Sequence, residues 1–152
     1  MKAATKKKVI NVLNEIMEVE LAGVVIYTHY SLMVFGYNRI PIVSWMKSNA
    51  TEGLDHAHRA GEMVTMLGGH PSLKIGTLLE THKHDIGDIL RESLNHEQKA
   101  LDAYYKLLAL TENGVHVTLE EYARDMIVSE EMHLDEVNKM LRNPGSIEVF
   151  KA

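Results

Sequence analysis

Apolar side chains recur every three or four residues along four long stretches of the chain, with breakers between them. That period belongs to a helix that buries one stripe. The first stretch runs from about Thr5 to Phe35, on the stripe Val9, Leu13, Ile16, Glu20, Val24 and Tyr27. Gly36 to Pro41 closes it, and Pro41 suits the opening of the next helix. The second runs from about Pro41 to Leu67, on Trp45, Asn49, Glu52, His56, Ala60 and Met63, until Gly68-Gly69-His70-Pro71 stops it. The third runs from about His84 to Asn113, on Ile86, Leu90, Ser93, Glu97, Leu101, Tyr104 and Leu108, and Asn113-Gly114 reads as its C-terminal signal. The fourth opens on a capping box, Thr118-Leu119-Glu120-Glu121, and runs to about Arg142 on Leu119, Tyr122, Met126, Glu130, His133, Val137 and Met140.

Helices of this length reach roughly 35–45 Å at 1.5 Å per residue. Two short links and one longer middle connection, Gly69 to Thr81, join them. This pattern predicts an all-α four-helix bundle, one domain over residues 1–152, whose second and third helices are joined by a crossover. Leu73, Ile75, Leu78 and Leu79 predict that the crossover packs on the bundle.

Every apolar stripe is broken by a glutamate: Glu20, Glu52, Glu97 and Glu130. Two are also broken by a histidine, His56 and His133. A carboxylate buried without a partner is very costly, so the bundle interior must compensate these groups, and a metal ion is an economical way to do so. The halves of the chain repeat the pattern. Glu20 to His56 and Glu97 to His133 both span 36 residues, and Glu20 to Tyr27 and Glu97 to Tyr104 both span seven. The two sets can therefore lie at one level about a pseudo-two-fold axis. One glutamate from each of two helices, with a glutamate and a histidine from each of the other two, is the di-metal carboxylate arrangement of helix bundles. Tyr27 is placed to hydrogen-bond a ligand carboxylate from behind.

The second helix breaks the symmetry. Its pair, Glu52 and His56, is four residues apart, whereas Glu130 and His133 are three apart. A one-residue π-bulge would restore the three-residue presentation. Asp55 with His58 is a rival pair at true three-residue spacing, but His58 lies off the stripe and outside the 36-residue match.

Composition narrows the chemistry. The 152 residues contain no cysteine, so any metal is held by oxygen and nitrogen, which favours iron, manganese or zinc. A net charge of −5 with no basic stripe argues against nucleic acid as partner. No apolar run reaches membrane-spanning length, and the Lys-rich start leads into Glu15, Glu18 and Glu20 rather than a signal-peptide core. The expected location is cytoplasmic.

Over nearly its whole length the chain resembles the bacterioferritin-type members of the ferritin-like superfamily. The resemblance rests on Glu20-Leu21 with Tyr27, His56-Ala57 with Arg59, Gly69 with Pro71, Glu97, and Glu130-Glu131-Met132-His133. It implies a ferritin-like bundle with two irons per chain that oxidises Fe(II) with O2 or peroxide, as a ferroxidase in iron storage or detoxification. By resemblance, Glu20 and His56 serve one iron, Glu97 and His133 the other, and Glu52 and Glu130 bridge them. The chain would be a homo-oligomer, a dimer at least and a shell of about 24 subunits by resemblance. Two positions depart from the family. Leu54 stands where the haem-ligating methionine would be, which puts the haem site in doubt, and Gly53 stands where the bridging glutamate would be. The alternative is a non-storing di-iron or di-manganese oxidase or peroxidase of the same superfamily.

Overall fold

The computed structural model describes residues 1–152, and it contains four helices and no strand. They are α1 (Ala3–Met33), α2 (Arg39–Met66), α3 (Ile86–Thr111) and α4 (Val117–Leu141). α1 packs along α2 and α3, and α3 along α4. Pro41 lies inside the first turn of α2 rather than at its opening. There its missing N–H costs no helical bond. α4 is capped by His116, not by Thr118: the His116 Nδ1 accepts from the Leu119 N–H at 3.3 Å. Asp85 caps α3 by accepting from the Gly87 N–H at 2.9 Å.

The crossover packs on the bundle as expected, but polar groups anchor it rather than its leucines alone. Asn14 donates to the His70 carbonyl and accepts from the Ser72 N–H. The Ser72 hydroxyl donates to Glu18, and the Gly76 N–H donates to the Glu18 carbonyl at 2.7 Å. Leu73 and Leu79 point to solvent. Gly76 lets the connection approach α1 closely, since a Cβ would stand a tight 3.2 Å from the Glu18 carbonyl and 3.3 Å from the Ala22 methyl. The anchors advance along α1 from Asn14 through Glu18 to His29 as the connection advances from residue 70 to 80. The connection thus climbs back along α1, and α3 descends in the direction of α2.

Two apolar cores fill the bundle. The larger has 17 buried residues, among them Leu13, Leu107, Leu119 and Met126. The smaller joins Tyr27, Tyr30, Val34, Met46 and Ile89. In the gap between them lie the buried polar side chains Glu20, His56, Glu97 and Glu130.

Candidate metal centre

Glu130 stands at the middle of the gap, 1 % exposed, with both carboxylate oxygens buried and without a hydrogen-bond partner. His56 Nδ1 lies 3.2 Å from one oxygen and His133 Nδ1 lies 3.7 Å from the other. Neither contact is a well-formed hydrogen bond. The rings stack side by side, with centroids 6.2 Å apart and planes 18° apart. His56 Nδ1 also lies 3.4 Å from Glu20, and His133 Nδ1 lies 3.9 Å from Glu97. Two ligand-type sets result. Glu20, His56 and Glu130 form one, Glu97, Glu130 and His133 the other, each with its ligand atoms within 4.8 Å of one another. Glu130 belongs to both.

The tyrosines cross between halves. The Tyr27 hydroxyl donates to Glu97, and the Tyr104 hydroxyl donates to Glu20 at 2.8 Å. Each tyrosine thus supports the carboxylate of the other helix. Burial pushes both phenols well above their ordinary range, helped by Glu97 for Tyr27 and by Glu20 for Tyr104. They remain protonated donors.

Glu52 sits behind the histidines. Its carboxylate is 3.7 Å from His56 Nε2 and 3.1 Å from His133 Nε2, on the edges opposite the Nδ1 atoms. α2 runs as an unbroken α-helix through residues 52–56, without the expected bulge. The four-residue spacing therefore persists, and Glu52 falls on the outer edge of the rings. Its side chain is 42 % exposed and borders an open groove with Ser48, Thr51 and Asp55. Gly53, three before His56, packs against α1: a Cβ there would stand 3.3 Å from the Glu20 carbonyl. Asp55 and His58 are exposed and lie outside the cluster.

His96 also lines the site, although its spacing in the sequence matches no partner. Its Nε2 occupies the space beside Gly23, 2.7 Å from where a Cβ would be. Burial lowers its pKa to about 4, so it is neutral. The one sequence signal for it is a glycine in mid-helix, three residues after Glu20.

Charge in the cluster is strongly skewed. Burial raises Glu20 and takes Glu97 to about 7. Burial opposes the charge on His56, yet Glu130 and Glu20 outweigh it and raise the imidazole to about 10. Glu130 and Glu97 raise His133 to about 11. Three buried carboxylates thus surround two imidazole Nδ1 atoms, a donor set of hard oxygens and borderline nitrogens that suits iron or manganese. The partnerless oxygens of Glu130 fit the same purpose, because a bridging cation pair would satisfy both.

The sequence matches the Ferritin family, the ferritin-like domain, over residues 10–145. No curated protein matches it. Among solved structures, a ferritin-like, diiron-carboxylate protein of Bacillus anthracis str. Ames superposes with a TM-score of 0.86 at 24% identity, covering 93% of this chain and 100% of that one. At that identity the likeness speaks for the fold.

Proposed function

The chain belongs to the ferritin-like domain family, and from that premise we propose that it is a di-iron carboxylate protein that oxidises Fe(II) with O2 or peroxide, in iron storage or detoxification. The observation that carries this reading is Glu130, buried between two histidines with neither oxygen hydrogen-bonded. Glu20, His56 and Glu130 would hold one iron, and Glu97, His133 and Glu130 the other. Iron held there would supply the redox chemistry, two Fe(II) ions each giving up one electron to O2 or peroxide.

The chain's own residues do the rest. Tyr104 and Tyr27 orient Glu20 and Glu97 by donating to them. Glu52 stands beside both Nε2 atoms, 3.7 Å from that of His56 and 3.1 Å from that of His133, where it would favour Nε2–H and leave each Nδ1 lone pair for metal. In this reading Glu52 serves both histidines from their outer edges, and the second-bridge role that the resemblance implies would need its side chain to swing round to the Nδ1 side. It is also the cluster's most solvent-open carboxylate. Manganese or zinc could occupy the same donors. The oligomer, a dimer at least, and the cytoplasmic location complete the proposal. Leu54 in place of the haem methionine speaks against the bacterioferritin haem site.

The test is iron retention. Metal-free protein is given a large excess of Fe(II) in air, desalted, and its iron counted. Far more than two irons per chain means mineral storage. A plateau near two keeps the di-iron centre and favours the non-storing oxidase. No retained iron refutes the proposal. If Glu97→Ala and His133→Ala leave bound metal unchanged, the ligand assignment is wrong.

A further inference from the structure

A second group of metal-ligand type lies outside this centre. His29 is on the outer face of α1, while Glu80 and His84 end the crossover just before α3. We propose that His29, Glu80 and His84 form a separate site for a zinc-class divalent cation, which pins the crossover to the bundle.

Geometry comes first. His29 Nε2 lies 3.1 Å from one oxygen of Glu80, and His84 Nε2 lies 3.7 Å from the other. All three ligand atoms fall within 4.8 Å of one another. In a tetrahedral shell with bonds of about 2.0–2.1 Å, neighbouring ligand atoms stand about 3.3 Å apart. The observed distances straddle that value, so small side-chain rotations would close the shell. The imidazoles meet at 61° with centroids 5.5 Å apart, which leaves room for both nitrogens to converge.

His29 Nε2 supplies the second observation. It is sealed from solvent yet has no well-aligned hydrogen-bond partner, even with Glu80 beside it. A buried polar atom left unpaired is costly. A cation between the two groups would satisfy both. Glu80 is unmatched in a further sense: no lysine or arginine pairs with it, and its three neighbours are His29, His82 and His84.

The backbone prepares the turn. His82 takes the left-handed conformation, φ 55°, which costs energy for a side chain of its size. That turn aims its N–H at a Glu80 oxygen at 2.5 Å and brings His84 round to the same carboxylate. Two nitrogens and one oxygen are a usual set for zinc with an open fourth position. The open side adjoins a cleft of about 230 Å³ walled by Val25, Ile26, Leu78 and Leu79. Water or a small anion would complete the shell there.

The experiment uses the whole chain, stripped of metal and titrated with Co(II) as spectroscopic probe. Wild type is compared with the His29→Gln, His84→Gln double variant, and with a Glu97→Ala, His133→Ala variant that disables the central cluster. The expected result is loss of one cobalt per chain from the first variant. The second should retain one cobalt with the strong visible absorption of a four-coordinate site. Zn(II) should also slow tryptic cleavage at Lys83 in wild type and not in the His29/His84 variant. Equal cobalt content in wild type and that variant would overturn the proposal, as would Zn(II) protection that survives both substitutions. Should the double variant lose helicity, His84→Gln alone gives the same two readings.

Discussion

At the scale of single residues, the centre is organised by exchange between its halves. Tyr27 and Tyr104 each serve the carboxylate of the other helix, so neither half is complete alone. Removing an outer hydrogen-bond partner of a metal ligand usually costs about 10–100-fold in affinity. Tyr104→Phe should therefore weaken iron or cobalt binding by that order in competition with a chelator, with helicity unchanged. Unaltered affinity would remove Tyr104 from the ligand scaffold. The metal-free protein should also respond to pH. Folded-state pKa values of about 10 for His56 and 11 for His133 lie above the ordinary imidazole value near 6.5. A raised histidine pKa adds stability that is whole below the unfolded value and is lost as pH climbs through the folded one. Glu97 acts in the same direction. Its pKa is raised by burial to about 7, so its cost is absent below about pH 4 and complete above pH 7. The midpoint of thermal unfolding in chelator should fall between about pH 7 and 11, and bound metal should flatten that fall by replacing the imidazole protons. A metal-free midpoint that stays level over this range would contradict the charge assignment.

At the scale of elements, the periodic stripes were legible and the ends were not. All four helices lie where the three-to-four spacing puts them, because burying a stripe is a many-residue signal. The start of α4 depends on one imidazole, His116, which outcompetes the capping box two residues later. The place of Glu52 was illegible for a similar reason. Only backbone hydrogen bonding decides whether a bulge forms in α2, and the helix runs unbroken through residues 52–56. The crossover packs on the bundle as its pattern suggests, but what holds it was not legible: Asn14 and Glu18, polar residues of α1, anchor it. From this follows a local prediction. Asn14→Ala removes two hydrogen bonds to the connection, and Asn14 is a member of neither apolar core. Trypsin should cut at Lys74 several-fold faster in that variant, while the global unfolding midpoint moves little. A large fall in the midpoint with no change in cleavage would show that Asn14 acts on the bundle instead.

At the scale of the whole molecule, the 36-residue repeat foretold the most, since two helix pairs with matched inner groups must meet about an axis. What it did not foretell is how much apolar surface stays outside. Leu32, Phe35, Tyr37 and Ile40 cluster where α1 turns into α2, all exposed, with Tyr37 wholly so. None of the four belongs to either proposed metal site, so metal binding does not account for them. Exposed apolar side chains grouped on a chain of 17.2 kDa ordinarily mark an interface, and self-association by symmetry is its commonest use. Sedimentation velocity at micromolar concentration should therefore find a species larger than one chain. Phe35→Glu with Ile40→Glu should shift it toward the monomer and keep the helical content, because both side chains are clear of the two cores. Metal bound per chain should not change, since every proposed ligand comes from one chain. If wild type sediments as a monomer, the patch has another use and mineral storage loses its shell. If the charged variant also loses metal, assembly shapes the centre in a way that one chain does not contain.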